Sequence, residues 1–340
     1  MKYKEITAAL ASALEAGPEI VGYKYAIAAL IYGFEKDIGA HSLYLRRNGL
    51  PPVLQGRVEP DAHLGDSGPT VHAETRLIAE HGGVSLMGRG VLVSDPPCPN
   101  CMKALIGAGL SQVLIASHGF DHGVWYNSVD EMGIKRARYF HEVSCVLAKA
   151  AGVEVLRISS DGSVEDTLVA KPSKQVDKLG FAHVEDLSEV GAAGEAFKEN
   201  RSFWEGYPYA VSIVHDPSGK RSLLITREQY LGAMDEGGAR EIRRGFEDQG
   251  SLRYRLMLDP LSGLLSAAAA YGLSLAGQSP YVSELPTARC IVNALDADIA
   301  GLRLASLIPQ SEKGEQSRIA LEMLQKISAL YVKESAPEFD

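Results

Sequence analysis

The 340-residue chain is long for a single compact domain and suggests two domains of about 150–170 residues each. Its formal net charge of -9 makes the protein as a whole a poor electrostatic match for a nucleic acid, which favours a small-molecule partner without excluding a local basic groove. The sequence lacks the apolar run of a signal peptide and any apolar stretch long enough to span a bilayer, so we expect a cytoplasmic protein that does not associate with membranes.

The first 70 residues predict a helix, a strand pair and a long loop. Residues 4–16 carry apolar side chains at helical spacing, and a Gly-Pro pair ends the run. The continuous apolar segment 25–32 has the length of a strand, and the alternating segment 42–46 should pair with it as a hairpin. Residues 48–70 are rich in Gly, Pro and Asp, which predicts a loop of a length that is usually functional.

Two short motifs follow, each at the predicted start of a helix. His72 and Glu74 lie in the first turn of a helix for which Thr70 is the expected N-cap. After a buried strand at 90–94, the segment Pro97-Cys98-Pro99-Asn100-Cys101 begins a second helix. One histidine and two cysteines are three ligands of the zinc type, and a catalytic zinc keeps its fourth position for water. Glu74 is close enough to reach that water without binding the metal.

The sequence therefore predicts a catalytic Zn2+ centre with His72, Cys98 and Cys101 as ligands. A C-x-x-C pair in an intracellular chain indicates metal or redox chemistry rather than a structural disulfide. A purely structural zinc site would need a fourth protein ligand. His81 is the best rival, but it lies at the far end of the helix from His72 and should point elsewhere.

The segments Pro69-Thr70-Val71-His72-Ala73-Glu74 and Pro97–Cys101 together resemble the H-x-E…P-C-x-x-C signature of the cytidine/deoxycytidylate deaminase superfamily. The resemblance implies a zinc-dependent hydrolytic attack on an amino-bearing ring carbon, with Glu74 as the catalytic proton shuttle. It also implies an α/β fold with three α-β-α layers around a mixed five-stranded sheet. The predicted strand at 112–116, helix at 135–151 and strand at 153–158 agree with that order, and strands 90–94 and 112–116 should be parallel.

The same resemblance implies contacts with a substrate. Backbone groups at Ala73 and in the Pro97-Cys98 segment would hold the edge of a base. Asn48 is a candidate for a hydrogen bond to a sugar, because an asparagine before the metal helix has that role in relatives. His122 and Trp125 lie in a polar and aromatic stretch after the 112–116 strand, where loops commonly carry function.

Beyond a predicted linker at 161–185 the pattern begins again, so we expect one domain at 1–160 and a second at 186–340. Residues 93–117 and 282–306 correspond at a constant offset of 189 residues. The chemistry is lost in the second copy, where the counterparts of His72, Glu74, Cys98 and Cys101 are Leu261, Gly263, Thr287 and Cys290. A degenerate deaminase-like domain without a metal site is therefore predicted. It would pair with the first domain in place of a homodimer interface, and dimerisation of the whole chain stays open.

The function expected from these observations is deamination of a nucleobase-containing small molecule, with a cytosine nucleotide or nucleoside converted to its uracil counterpart and ammonia. The run 97–109 looks like the deoxycytidylate deaminase pattern, whereas 69–74 looks more like the tRNA-adenosine branch. One alternative is a deaminase of tRNA or single-stranded DNA, since a tandem with one inactive domain recurs among polynucleotide-editing deaminases. The acidic balance and the lack of a basic, aromatic-interleaved run argue against it. A further alternative is a non-catalytic zinc-stabilised binding or scaffold protein, against which the intact Glu74 speaks.

Overall fold

The computed structural model describes residues 3–16, 27–35, 39–121, 136–171, 177–187, 192–232, 234, 237, 256–309 and 312–337. Within these residues the protein is a mixed α/β structure with two six-stranded sheets. We refer to the residues up to 171 as the first half and to those from 177 onward as the second half. None of the helices that it describes combines the length and the apolarity that a membrane crossing requires.

The described residues of the first half form six strands and five α-helices. The strands are β1 (Ala28–Glu35), β2 (Gly39–Arg47), β3 (Gly90–Val93), β4 (Gln112–Ala116), β5 (Glu154–Ile158) and β6 (Val164–Val169). The helices are α1 (Lys4–Glu15), α2 (Ala73–Ala79), α3 (Pro99–Gly107), α4 (His118–Asp121) and α5 (Arg136–Ala150). The sheet order is β2-β1-β3-β4-β5-β6.

The described residues of the second half also form six strands. They are β7 (Ala182–Asp186), β8 (Tyr209–His215), β9 (Arg221–Arg227), β10 (Tyr281–Val282), β11 (Gly301–Leu304) and β12 (Tyr331–Glu334). Its described helices are α6 (Ala192–Glu199), α7 (Arg201–Trp204), α8 (Pro260–Tyr271), α9 (Ala288–Leu295) and α10 (Glu312–Lys326). The sheet order is β12-β11-β10-β8-β9-β7.

Five strands of each sheet share one order and one set of directions. In the first half β2, β1 and β3 are antiparallel neighbours, whereas β3, β4 and β5 are parallel. In the second half β9, β8 and β10 repeat the antiparallel part, and β10, β11 and β12 repeat the parallel part. The 189-residue offset also aligns the first residues of α3 and α9, Pro99 and Ala288, and those of β4 and β11, Gln112 and Gly301.

The sixth strand makes each sheet larger than the five strands that the sequence suggested. β6 pairs antiparallel with β5, whereas β7 pairs antiparallel with β9 at the opposite edge of the second sheet, so the repeat is not exact. Both strands fall largely within 161–185, the segment proposed as a linker from its polar composition. Asp161-Gly162-Ser163 forms the turn from β5 to β6, with the Asp161 carboxylate accepting the Ser163 N–H at 2.9 Å. An edge strand with an exposed face tolerates polar residues, which is why the composition was misleading.

Two other elements differ from the sequence expectation. β1 begins at Ala28 rather than at 25. α2 has His72 rather than Thr70 as its N-cap, so that helix begins two residues later than predicted. The second difference bears directly on the site, because it puts the imidazole at the helix boundary itself.

Helices lie on both faces of each sheet. In the first half α1 packs on the outer face, where Ile6 and Leu10 meet alternate strand residues such as Leu92 and Leu114. α2, α3 and α5 cover the inner face. In the second half α6 and α7 cover the outer face, and α8, α9 and α10 cover the inner one. Both halves therefore have an α-β-α arrangement.

The inner helices of the two halves pack against each other, so that one hydrophobic core continues from the first sheet to the second. Leu77 and Ile78 of α2 belong to the same buried cluster as Leu261 and Leu264 of α8. α3 comes so close to α8 that a Cβ built on Gly107 would lie 3.0 Å from the Cβ of Ser266. The helices that carry the two sequence motifs are thus part of the interface between the halves.

A buried ion pair crosses this interface. Arg76 Nε on α2 lies 3.3 Å from Asp296 Oδ2, which immediately follows α9. The Arg76 side chain is 8% exposed and that of Asp296 is fully buried. Arg76 also binds Glu80 on its own helix at 2.9 Å, and Glu80 in turn pairs with the more exposed Arg46.

Replacing Arg76 by Met should lower the free energy of unfolding by about 3–5 kcal/mol, because it leaves the Asp296 carboxylate buried without its counter-ion. Urea denaturation followed by circular dichroism measures the change. Arg46→Met is the matched control. It removes a surface pair with the same Glu80, and such pairs contribute about 0–1 kcal/mol. Equal losses in the two variants would contradict a structural role of the buried pair.

Candidate active site

Both sequence motifs place a side chain at the N-cap of a short helix. His72 precedes α2 with φ -71° and ψ 148°, and Cys98 precedes α3 with φ -71° and ψ 162°. N-cap side chains commonly accept a hydrogen bond from the first turn of their own helix, but neither of these does so. The imidazole and the thiol face each other instead, and the first-turn N–H groups of two helices surround the same place.

The three predicted ligands converge. His72 Nδ1 lies 3.3 Å from Cys101 Sγ and 3.8 Å from Cys98 Sγ. All three potential ligand atoms lie within 4.8 Å of one another. Within the described part of the chain, no other group of three such residues is this close.

The dimensions of the cluster fit a tetrahedral zinc ion. Bonds of about 2.3 Å to sulfur and 2.0–2.1 Å to nitrogen at tetrahedral angles place the nitrogen and each sulfur about 3.6 Å apart. The observed distances of 3.3 and 3.8 Å lie on either side of that value. No fourth His, Cys, Asp or Glu of the described chain joins the group. His81 faces the carbonyl oxygens of Val84 and Leu273 instead.

The two thiols titrate as a pair. A hydrogen bond from Cys101 lowers the pKa of Cys98 well below its usual range, and His72 lowers it further. The pKa of Cys101 is raised well above its usual range, because its proton is held by Cys98 and burial opposes a second thiolate. Burial alone would lower the pKa of His72, but the hydrogen bond to Cys98 raises it. The metal-free cluster thus holds one anionic sulfur beside His72, and a divalent cation that binds there would displace the remaining protons, because its ligands must be deprotonated.

Glu74 is a buried carboxyl group beside this cluster, with 4% of its surface exposed. Burial raises its pKa to about 7. The nearby His72 opposes that rise, whereas the charges of Cys98 and Asp95 add to it. A group with a pKa close to neutral can both accept and release a proton during one reaction cycle.

The segment after β3 is held by contacts with two neighbouring elements. Ser94 Oγ accepts the Ala28 N–H at 3.1 Å and donates to the Asp95 carboxylate at 2.6 Å. Helix α4 packs directly on this segment, since a Cβ built on Gly119 would lie 2.1 Å from Ser94 O. These contacts hold the chain that leads to Cys98.

The substrate-contact residues proposed from the sequence are only partly brought together. Ala73 is fully buried as the first residue of α2. Pro97 is buried, and its carbonyl accepts the Ser144 hydroxyl at 2.8 Å. A bridge between Gly49 and Val71 brings Asn48 close to the metal motif in spite of the long loop between them, and Asn48 Oδ1 accepts the Ile27 N–H at 2.9 Å. His122 and Trp125 lie outside the described residues. All five stay predictions as substrate contacts.

The second half has conventional side-chain N-caps on the two helices that correspond to α2 and α3. Asp259 caps α8 by accepting the N–H groups of Leu261 and Ser262. Thr287, the counterpart of Cys98, caps α9 by accepting the Cys290 N–H at 3.3 Å. Burial raises the pKa of Cys290 to about 12, so its thiol stays protonated.

Each half also extends a cation toward the helix starts of the other. Arg289 Nη1 donates to the carbonyl of Thr70, two residues before His72, and its charge lowers the pKa of both His72 and Cys101. In return, Lys103 Nζ donates to the carbonyl of Met257 at 2.9 Å. The sequence analysis did not identify Arg289. The repeat did point to this position, because at the 189-residue offset Arg289 corresponds to Asn100, which lies between the two cysteines.

No protein-family model matches the sequence, and no curated protein matches it significantly. Among solved structures, the chain is similar to a dCMP deaminase from the cyanophage S-TIM5 in complex with dCMP and dUMP. The sequence identity is 21% and the TM-score is 0.26, and the match covers 34% of this chain and 88% of that chain. The apo form of the same enzyme gives 20% identity, 34% and 87% coverage, and a TM-score of 0.24. At TM-scores this low the likeness supports no conclusion about this chain.

Acid should destabilise the packing of α5 against α4 through His141. Its ring packs edge-on against Phe120 at 5.3 Å, and burial lowers its pKa from 6.5 to about 4. The unfolded chain therefore binds a proton that the folded chain does not. The stabilisation is complete above about pH 6.5 and is lost as the pH falls toward 4, a difference of about 3 kcal/mol.

Urea unfolding at pH 7 and pH 4.5 should show a smaller loss of stability in His141→Phe than in the wild type. The exposed His63→Gln is the control, and an unchanged loss in His141→Phe would contradict the assignment.

Proposed function

We propose that residues 1–160 form a zinc-dependent hydrolytic deaminase of a nucleobase-containing small molecule, with a cytosine nucleotide or nucleoside as substrate. The convergence of His72 Nδ1 and the sulfurs of Cys98 and Cys101 on a tetrahedral-sized site carries this proposal. Three protein ligands rather than four are typical of a catalytic zinc. The buried Glu74 beside them supplies the proton-transfer group that a purely structural site does not need.

Side chains of the first half would hold the metal ion and transfer the protons that the reaction requires. Zinc held by His72, Cys98 and Cys101 would supply a water molecule with a pKa near about 7. Glu74 would accept one proton from that water and deliver it to the ring nitrogen of the base, while the water oxygen adds to the amino-bearing carbon. Glu74 would then take the remaining proton from the added hydroxyl and deliver it to the amino group, and the C–N bond would break to release ammonia. Its pKa of about 7 suits both directions of transfer.

Cytosine is favoured over adenine by the run from Pro97 to Gly109, which looks like the deoxycytidylate deaminase pattern. A small substrate is favoured over a polynucleotide by the net charge of -9.

The second half, on this proposal, is a deaminase-like domain that kept the strand order and lost the ligands. The matching topology of the two sheets supports this origin. The shared core and Arg289 support a role as a permanent partner, equivalent to one subunit of a homodimer.

Purified protein should contain one zinc ion per chain by metal analysis. Glu74→Gln should retain the zinc and lower kcat by about 10²–10⁴-fold, because it removes the proton-transfer group while leaving the ligands in place. Cys98→Ala should lose both metal and activity, whereas the non-ligand Cys145→Ala should keep both.

Ammonia release from cytosine, adenine and guanine bases, nucleosides and nucleotides, with single-stranded DNA and tRNA included, identifies the substrate. A zinc-free wild type or a fully active Glu74→Gln would refute the proposal, and preferential turnover of tRNA or DNA would overturn the substrate class.

Arg289→Ala should weaken the metal centre even though this residue belongs to the other half. The charged hydrogen bond to the Thr70 carbonyl is of a kind that contributes about 1.5–3 kcal/mol, so we expect at least a tenfold fall in zinc affinity or kcat/KM. Competition with a chelator and steady-state kinetics measure the two quantities. Arg303→Ala removes another arginine–carbonyl bond of the second half, to Ser279, and serves as control. Unchanged values in Arg289→Ala would show that the second half does not support the centre.

A further inference from the structure

The loop before α2, residues 49–71, is folded as a compact unit that we call the loop lobe. Its two ends are joined, because Gly49 and Val71 exchange backbone hydrogen bonds of 3.1 and 2.7 Å. Its interior is apolar, with Leu54 and Leu64 fully buried in the core that the two halves share. A loop with joined ends and packed side chains moves as one body, so a contact on its outer side also acts on its ends.

The second half contacts the loop lobe at the end of α10. Arg57 Nη1 donates to the carbonyls of Ile327 and Ser328 at 3.1 and 3.2 Å. These carbonyls directly follow α10, at the end of a helix where backbone acceptors lack intrahelical partners and a cation is favoured. The guanidinium thus attaches the lobe to the carboxy-terminal end of a 15-residue helix.

A second contact joins the loop lobe to an earlier turn of the same helix. Gly65 has a φ of +61°, and a Cβ built on it would lie 2.1 Å from Gln316 O. The atom that a side chain would meet here belongs to the helix backbone, which cannot rotate away as a side chain can. Gly56, also in the lobe, has a φ of +70°, but a Cβ there would meet no described atom within 4 Å. Only Gly65 therefore marks a close approach of the lobe to α10.

The third contact lies next to a proposed metal ligand. Arg289 Nη1 donates to the carbonyl of the buried Thr70, and His72 follows two residues later as the N-cap of α2. An N-cap residue has non-helical dihedral angles, so the direction of the imidazole depends on the chain that precedes the helix. The second half thus contacts the lobe at positions 57, 65 and 70, in the order in which the chain approaches the ligand.

We infer from these contacts that the second half, through α10 and Arg289, positions the metal ligand His72, and that Arg57 and Gly65 are positioning residues of the centre. The inference rests on the metal site of the proposed function and does not depend on which substrate is turned over. Each of the three contacts acts by fixing the loop lobe rather than by touching the imidazole. Groups that orient a metal ligand typically change metal affinity by about 10–100-fold, and contacts that act through the backbone belong at the lower end.

Gly65→Ala and Gly56→Ala form a matched pair that isolates the contact with α10. Both place a side chain at a positive φ and so strain the backbone alike, but only Gly65→Ala forces the loop lobe and the helix apart. Competition with a chelator should show that Zn2+ binds about tenfold more weakly to Gly65→Ala, and to Gly56→Ala within about twofold of the wild type.

Arg57→Ala gives the same test without a clash, because the Arg57 side chain is exposed and its removal leaves the core intact. It should weaken Zn2+ binding by about two- to fivefold, the range for a cation at an exposed helix end. Arg57→Lys keeps a cation at the end of α10 and should recover most of that loss.

Two measurements separate positioning from a general loss of stability. The absorption spectrum of the Co2+-substituted protein reports the geometry of the ligands, and its bands should change in Gly65→Ala and stay unchanged in Gly56→Ala. Amide hydrogen exchange of the metal-free protein should be faster over residues 57–71 in Gly65→Ala and Arg57→Ala, a result that requires neither metal nor substrate.

Faster exchange with unchanged Zn2+ affinity and an unchanged Co2+ spectrum would overturn the inference, because the loop lobe would then be loosened without an effect on His72. Unchanged exchange would also overturn it, by showing that α10 does not hold the lobe. A wild type that binds zinc but deaminates no nucleobase compound, with weaker binding in Gly65→Ala, would refute the proposed function and leave this inference intact. An active deaminase with equal zinc affinity in Gly65→Ala and Gly56→Ala would do the reverse, and a wild type that binds no metal would refute both.

Discussion

The packing of four inner helices into one hydrophobic core is the constraint on which the rest of this structure depends. α2 and α3 present the metal motifs at their amino-terminal ends and bury their apolar faces against α8 and α9. The second half therefore cannot be removed without exposing the layer that holds His72 and Cys98. The described residues of the second half contain no metal cluster, yet five of its strands keep the order found in the first half. Its role in the shared core explains why that order is kept.

The helices α2 and α3 lack the side-chain N-caps that α8 and α9 have, although such caps stabilise a helix. A side-chain N-cap contributes about 0.5–2 kcal/mol, and α2 and α3 both lack one because His72 and Cys98 face each other. In the second half, Asp259 and Thr287 cap α8 and α9. The comparison indicates that the first half gives up two ordinary stabilising interactions where the side chains of His72, Cys98 and Cys101 come together. Arg289 and Asp296 of the second half bind the same region, through the Thr70 carbonyl and through Arg76.

Much of the fold and the centre of the site could be predicted from the sequence, because both rest on local signals. Apolar periodicity placed α1, β3, β4, α5 and β5, and the motif spacing was enough to select His72, Cys98 and Cys101. The sixth strands were missed because edge strands such as β6 are exposed and polar. Thr70 was a reasonable N-cap by residue type, but the position of the cap was decided by tertiary contacts. Arg289 acts on Thr70 from 219 positions further along the chain, a relation that no local pattern contains.

Joining both halves in one polypeptide has a consequence for how the centre responds to dilution. A site completed by a separate subunit comes apart when the protein concentration falls below the dissociation constant of the dimer, whereas a covalent partner keeps a constant effective concentration. Arg289 therefore stays opposite Thr70 even in a single isolated molecule. Covalent linkage also allows each half to change its sequence without the same change appearing in the other, so one half carries the His72–Cys98–Cys101 cluster while the other has side-chain helix caps.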